Sequence, residues 1–299
     1  MNAENLNQKP QRVIAIQSGT HYYTEATTRT TLASGLYNMS AVRVGNEIVP
    51  GFVPVAVTND EPLDIDPLVH EIVKEFEDFF NRRPIFKKMG FAHKRGYLLH
   101  GPPGCGKSST LRLLQKKFLD QFQGIVLFWR HGASIENYVD FIRENESDRP
   151  LMVICEDIDQ FMEHFETKIL EFLDGQKGLD NFLLVATTNN LKQVPSRIKD
   201  RPSRIDRVLE IGKPSRETRL KYLLALNTPE AEANTIADRT EGFSIAHLKE
   251  VVVATVCLGQ SLESVFARLK KADMGPSDGS GDDGDYDEDG DPMEELMGR

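Results

Sequence analysis

Residues Gly101-Pro102-Pro103-Gly104-Cys105-Gly106-Lys107-Ser108 fit the pattern G-x-x-x-x-G-K-S/T. A short apolar run, Gly96-Tyr97-Leu98-Leu99-His100, precedes them, and a helical pattern, Ser109-Thr110-Leu111-Arg112-Leu113-Leu114, follows. Strand, glycine loop and helix in that order form a phosphate cradle. Glycines let the backbone curl until its N–H groups face phosphate oxygens. Lys107 would then reach the β- and γ-phosphates, and Ser108 would ligate Mg²⁺.

Phosphoryl transfer to water needs more than a cradle. It needs a carboxylate near the metal, a group that activates water, and cations for the transition-state charge. Glu156-Asp157 supplies two adjacent acids directly after the apolar run Leu151-Met152-Val153-Ile154-Cys155. Asn189 closes another apolar run, Phe182-Leu183-Leu184-Val185-Ala186 with Thr187-Thr188, and is placed to face the γ-phosphate. Arg201 and Arg204 follow in Arg201-Pro202-Ser203-Arg204-Ile205-Asp206-Arg207.

The elements that must position these groups are legible as short apolar runs alternating with helical patterns. Gly124 to Trp129 and Val208 to Ile211 complete the set of strands, and Ser134 to Glu144 and Lys168 to Leu173 read as helices. This alternation predicts an α/β fold, a parallel sheet flanked by helices. Ahead of it, Asp66-Pro67 starts a helix that keeps its apolar spacing through Leu68, Ile72, Phe76 and Phe79 to about Phe80. From Ser215 onward the pattern is all helical and predicts a small lid domain: Leu220, Leu223 and Leu224 on one helix, Ile236 on another, then Ser244 to Val251 and Leu262 to Leu269.

Residues 1–61 read as a small β-rich N-terminal element. Arg12 to Gln17 looks like a strand, 20–31 is threonine-rich, and Val42 to Val49 resembles a hairpin turning at Gly45-Asn46. The boundaries read from sequence are therefore 1–61, 62–213 for the α/β domain, 214–271 for the lid, and 272–299 for an acidic tail. That tail, built of Gly, Asp, Ser and Glu, holds the whole net charge of −10, and 1–271 is balanced. Its composition predicts disorder, with a faintly amphipathic tip, Pro292-Met293-Glu294-Glu295-Leu296-Met297, that reads as solubilising or as a docking peptide. A balanced body gives no general basic excess for nucleic acid. The local basic run Arg82, Arg83, Lys87, Lys88, Lys94 and Arg95 reads as a solvated or intersubunit face more readily than as a nucleic-acid patch. Three sparse cysteines, a polar N-terminus and no apolar run of bilayer length suit a reduced, cytoplasmic setting.

With the motifs in this order, residues 62–271 resemble the AAA family of ATPases. Residues 96–109 are similar to its entry strand and phosphate loop, especially in the branch of the mitochondrial chaperone that assembles respiratory complex III. Glu156-Asp157-Ile158-Asp159 is also like that branch, although the membrane segment of that branch is absent here. Leu173-Asp174-Gly175 and Ala186-Thr187-Thr188-Asn189 match the stretch leading to sensor 1. Arg201-Pro202-Ser203-Arg204 resembles the arginine-finger segment R-P-G-R, with serine for glycine. Thr240-Glu241-Gly242-Phe243-Ser244-Ile245-Ala246-His247-Leu248 resembles the lid motif T-x-G-F-S-G-A-D-L.

The resemblance implies ATP and Mg²⁺ as cofactors. ATP would be held by Gly101, Pro102, Pro103, Gly104, Cys105, Gly106, Lys107, Ser108 and Ser109, with Ile65, Ala246 and His247 toward the base. Ser108 and Glu156 would hold the metal, Asp157 would activate water, and Asn189 would sense the γ-phosphate. Arg201 and Arg204 would act in trans, implying a homo-oligomeric ring, hexameric or as in the complex III branch heptameric, that remodels, unfolds or translocates a protein client. A DNA-associated loader or motor and a slow, nucleotide-controlled assembly factor are the other readings. Most of the family has Asp then Glu where this chain has Glu156 then Asp157. The position of the family's pore loop reads Trp129-Arg130-His131-Gly132-Ala133, where Trp129 is either pore or core.

Overall fold

The computed structural model describes residues 31–44, 47–56, 62–130, 135–174 and 179–273. The expected strand at Arg12–Gln17, the turn Gly45-Asn46, the segment 131–134, Gly175 and the tail from 274 onward lie outside the described residues.

Seven strands form one sheet: β1 (Gly35–Val44), β2 (Glu47–Val55), β3 (Lys94–His100), β4 (Ile125–Phe128), β5 (Leu151–Cys155), β6 (Phe182–Thr188) and β7 (Arg207–Glu210). Their order is β2-β1-β4-β5-β6-β3-β7. All neighbours are parallel except the β1–β2 hairpin. The expected division at 61/62 therefore runs through a single sheet. β1 pairs with β4 from Gly35↔Ile125 to Asn38↔Phe128, so the N-terminal hairpin extends the α/β sheet instead of forming an element of its own. β2 lies at the edge and carries Pro50 and Pro54, which an edge strand tolerates because one of its sides has no ladder to complete. Phe52 of this strand packs edge-on against Tyr37 and Tyr138.

Alternation along the central strands covers both faces. Tyr97, Leu99, Val126, Met152, Leu183 and Val185 join one core, and Leu98, Ile125, Leu127, Leu151, Val153 and Leu184 join the other. The first core is closed by α1 (Pro67–Asn81) and α3 (Lys107–Phe122), which meet through aromatic rings: Phe76 lies 6.2 Å from Phe118, and Phe80 lies 5.0 Å from Phe122. Asp66 caps α1 by accepting the Leu68 N–H at 2.9 Å, as the Asp-Pro signal requires. The second core is closed by α4 (Ile135–Asn145) and α5 (Ile158–Asp174). Trp129 belongs to this core: it is 3% exposed and lies 5.3 Å edge-on from Phe172. Of its two readings from sequence, core is the correct one.

The basic run contains a short helix, α2 (Arg83–Met89), and its cations largely meet acids of the same chain. Arg83 bonds both Asp148 and Asp180, Lys87 reaches Asp148 at 3.4 Å, and Arg95 lies 4.0 Å from Asp206. Just beyond, His93 is fully buried, stacks on Phe79 at 4.0 Å, and donates from Nε2 to the Phe79 carbonyl at 2.9 Å.

A 3₁₀ turn (Leu191–Gln193) and the short α6 (Ser196–Lys199) lead into the arginine segment, where Ser203 sits at φ 78°. Glycine takes that conformation without cost, which accounts for the glycine in the R-P-G-R pattern. An L side chain pays roughly 1 kcal/mol or more.

The helical region was expected to separate at 213/214. The break in packing falls instead between Val252 and Val253. α7 (Arg216–Ala225), α8 (Glu230–Arg239) and α9 (Ile245–Val252) fall in the same body as the sheet, and two bonds tie them to segments beside it: Thr218 Oγ1 donates to Asp66, the cap of α1, at 3.2 Å, and the Ala246 N–H donates to the carbonyl of Gly104, in the loop after β3, at 3.1 Å. Within α7 the buried positions are Thr218, Arg219, Tyr222 and Leu223. Leu224, on the same helix, is 40% exposed. Arg219 instead fills the interior and donates to the carbonyls of Pro214 and Ala237. The second body, taken by itself, opens with a π-helical turn (Val253–Cys257) and continues into α10 (Leu262–Asp273), whose Val265, Phe266 and Leu269 are buried.

Two consequences are measurable. Burial holds the His93 imidazole below the ordinary histidine value. The unfolded chain then takes up a proton first as pH falls, so the stability His93 contributes is present above about pH 6.5 and is lost as pH drops through its lower folded-state value. Denaturant titrations at near-neutral and mildly acidic pH should show this loss, and His93→Phe should flatten it. At Ser203, glycine should be tolerated while valine destabilises by about 1–2 kcal/mol, read as a shift in the denaturation midpoint.

Candidate active site

The three strand ends that matter are neighbours. β5, β6 and β3 lie side by side, in register at Cys155↔Ala186 and Leu98↔Ala186. Parallel pairing puts their carboxyl ends on one rim, with adjacent strands about 4.8 Å apart. The glycine loop leaves β3, Glu156-Asp157 leaves β5, and Asn189 leaves β6, so the sheet brings them together. Such a rim, at the carboxyl ends of parallel strands, is where open α/β sheets bind ligands.

The loop 101–106 runs into the N-terminus of α3, which starts at Lys107. Gly101 has φ 147°, and a Cβ there would meet the Ile211 carbonyl oxygen at 2.1 Å. Gly104 has φ 75°, and a Cβ there would lie 2.9 Å from both the Ala246 Cβ and the Ser244 Oγ. Pro102, Pro103, Gly104, Ser108 and Ser109 are exposed, whereas Cys105 is buried. Burial pushes the Cys105 thiol up, against the opposing pull of the Lys107 charge, so it stays protonated and acts as a small apolar residue.

Lys107 is 8% exposed, and its ammonium donates to the carbonyls of Gly101 at 2.6 Å and Pro102 at 3.0 Å and to Asn189 Oδ1 at 2.7 Å. Burial lowers its affinity for its proton, and Cys105, Asp157 and Asp159 nearby oppose that effect. From Asn189 the chain of bonds continues: its Nδ2 donates to Asp157 Oδ1 at 3.1 Å. Asp157 sits at φ 49°, a left-handed conformation that Asp tolerates, and its N–H donates to Thr187 Oγ1 at 3.1 Å. Thr187 is thus a positioning residue that the sequence reading passed over, although Thr187-Thr188 stood in plain view at the strand end.

Ser108 Oγ donates to Glu156 Oε2 at 3.4 Å. A hydroxyl and a carboxylate facing each other at the helix N-terminus fit a Mg²⁺ ion that binds mainly through phosphate and water. Among the described residues no cluster of three or more His, Cys, Asp or Glu could hold a metal ion.

The lid side approaches through α9. Ala246 bonds the loop at Gly104, and Ser244 and His247 form a local cap in which the His247 Nδ1 accepts the Ser244 N–H at 3.2 Å. Ile65 is half-buried just ahead of Asp66, which joins α1 to α7 through Thr218.

The two arginines differ. Arg204 is 6% exposed; its Nε donates to Asp174 Oδ1 at 2.8 Å, its Nη2 bonds the other oxygen of that carboxylate, and its Nη1 bonds the Arg197 carbonyl. Arg201 is exposed and lies 3.6 Å from the same Asp174. The sequence treated both as groups that reach a neighbour. Within this chain Arg204 commits three of its five N–H donors, two of them to one carboxylate, which fixes its guanidinium against Asp174.

Comparison with known proteins finds similarity over this stretch of the chain. A family model described as "ATPase family associated with various cellular activities (AAA)" matches residues 97–213. The proteasome-activating nucleotidase of Aeropyrum pernix is 31% identical over 194 residues, covering 56% of this chain and 47% of that protein. Protein CdcH of Halobacterium salinarum is 27% identical over 212 residues, covering 63% of this chain and 28% of its own length. The ATPase family gene 2 protein of Saccharomyces cerevisiae is 29% identical over 208 residues, covering 62% of this chain and 26% of its own. The chain thus spans between about a quarter and a half of these relatives. The glycine loop, the acidic pair, Asn189 and the arginine segment all fall inside residues 97–213, the stretch over which the chain is similar to the AAA family of ATPases.

Proposed function

We propose that this chain hydrolyses Mg²⁺-ATP in a homo-oligomeric ring and uses the cycle to remodel a protein client. The observation that carries this is the continuous chain from Lys107 through Asn189 to Asp157, beside the Ser108–Glu156 pair. Lys107 exchanges its bonds to the Gly101 and Pro102 carbonyls for β- and γ-phosphate oxygens. Ser108 and Glu156 would hold Mg²⁺, which would supply Lewis-acid neutralisation of phosphate charge. Asp157 accepts the proton of the attacking water as its oxygen bonds to the γ-phosphorus and the bond to ADP breaks. Asn189, bonded to both Asp157 and Lys107, keeps base and cation in step. Arg201, exposed, reaches the ATP of the neighbouring subunit, while Arg204 and Asp174 hold the segment that carries it.

Names of relatives such as proteasome-activating nucleotidase support a protein client over nucleic acid. So does the basic run, whose cations meet Asp148, Asp180 and Asp206. The Glu156-Asp157-Ile158-Asp159 order and residues 96–109 favour the branch of the complex III assembly chaperone, in a ring of six or seven. No described helix is long and apolar enough to cross a membrane, and we place the protein in the cytoplasm. A slow, nucleotide-controlled assembly factor is the second reading. It is favoured by Asp157, one methylene shorter than the usual base, and by Trp129, which packs in the core.

Lys107→Ala should abolish ATP binding, and Asp157→Asn should keep binding while lowering hydrolysis about 10²–10⁴-fold, measured by nucleotide titration and phosphate release. Asp157→Glu separates the two readings, since a faster turnover would mark Asp157 as a brake. Mass photometry of Asp157→Asn with ATP should show rings, and Arg201→Ala should depress hydrolysis only at concentrations where rings form. A monomer in every nucleotide state would remove the basis for a trans-acting arginine.

A further inference from the structure

Three large apolar side chains stand in solvent within one short stretch: Ile85, Met89 and Phe91, exposed by 55%, 61% and 64%. Ile85 and Met89 are four apart on α2 and share one face of it. Gly90, at φ 73°, ends the helix in a left-handed cap, with its own N–H on the Lys87 carbonyl and the Phe91 N–H on the Phe86 carbonyl at 3.0 Å, which turns Phe91 back beside the last turn. Phe86 packs inward against Phe79 and His93, so one ring anchors the helix while Ile85 and Met89 face out. The rim of this face is basic: Lys88 is exposed, and Lys87, also exposed, shares Asp148 with Arg83.

A second exposed face of the same body has the opposite rim. The turn from α7 to α8 exposes Leu224 by 40%, together with Ala225, Pro229 and Ala231, and the exposed Glu230 and Glu232 lie among them in the first turn of α8. Contiguous exposed apolar groups rimmed by charge mark interaction sites, and here the two rims are of opposite sign. Both faces are open in the folded body, so neither covers the other. They also attach to opposite ends of the sheet. α2 leads into the amino end of β3, whereas α7 follows the carboxyl end of β7, where Ile211 bonds His100 and Thr218 bonds Asp66.

We propose that the Ile85–Met89–Phe91 face of one copy seats on the α7–α8 turn of the next, with Lys87 and Lys88 meeting Glu230 and Glu232. This rests on the ring of the proposed function and names its contact. Two different faces joined head to tail repeat from copy to copy and close into a ring when the rotation allows. The arginine segment lies at the same end of β3 as the docking face: the Asp206 N–H donates to the Gly96 carbonyl at 2.8 Å, and the Arg204 carbonyl passes where a Gly96 Cβ would stand. The turn that receives that face belongs to the helices bonded to the glycine loop at Gly104. Seating one on the other carries Arg201 of one copy toward the glycine loop of its neighbour, so the trans arginine and this contact form one interface.

The test is a charge swap in the full chain carrying Asp157→Asn, with ATP, read as particle mass by mass photometry over a dilution series. Ile85→Glu and Leu224→Arg should each raise the concentration of half-assembly about 30-fold or more, the effect of losing a central anchor. Both changes in one chain set Glu against Arg across every contact and should restore rings. Retained ATP binding shows that each variant is folded, since both positions are exposed and lie outside the nucleotide site. Rings that survive either single change, or that the double change does not restore, would overturn the contact and leave the ring reading standing. Assembly lost with Ile85→Glu and unmoved by Leu224→Arg would mean that the face meets its own kind, and would equally overturn it. If the chain without either change is a monomer at every concentration, the ring reading itself fails and this contact fails with it.

Discussion

The site depends on one buried cation. Lys107 carries an ammonium that is almost out of water, and a buried charge is tolerated only when acceptors surround it. Its acceptors come from the loop after β3 and from Asn189 after β6. Those two strands must therefore lie side by side with their ends level, which the register His100↔Thr188 achieves. β5 must flank β6 so that Asp157 can meet Asn189 and Thr187. The strand order at the centre of the sheet follows from the needs of a single side chain.

The close approach of loop and lid is a second constraint, and glycine makes it possible. At Gly104 there is no room for a Cβ between the loop and Ser244 and Ala246. The start of α9 can then bond the loop backbone directly, so the lid helices report on the state of the loop without an intervening side chain.

Much of this was legible in the sequence, and for identifiable reasons. The phosphate loop, the acidic pair and Asn189 are each marked by a residue type that terminates an apolar run, and strand ends are the part of an α/β fold that sequence displays best. Trp129 was not decidable, since an aromatic at a strand end suits either a core or a pore, and only its contact with Phe172 decides. The N-terminal hairpin was recognised, but not its partner, because parallel pairing with β4 is non-local and leaves no mark in local pattern. The ion pair of Arg204 was not legible for a similar reason. Its partner Asp174 lies on another element, and a surface arginine and a bidentate one look alike in sequence. Leu224 fits the helical period, but Arg219 occupies the interior in its place through its carbonyl acceptors.

The position of β3 also bears on how the chain folds. β3 is flanked by β6 and β7, both far downstream, and has no neighbour among the strands that precede it. During synthesis from the N-terminus, the glycine loop therefore emerges at the end of a strand with nothing to pair with until residues 182–210 have followed. Until then the apolar Tyr97-Leu98-Leu99 run stays open, and the edge of β1 not paired with β2 waits for β4. A high-contact-order sheet of this kind folds late and slowly, with its strands exposed to mispairing in the meantime. The nucleotide loop is consequently among the last parts of the domain to be organised, although it is the part that the rest of the sheet is built around.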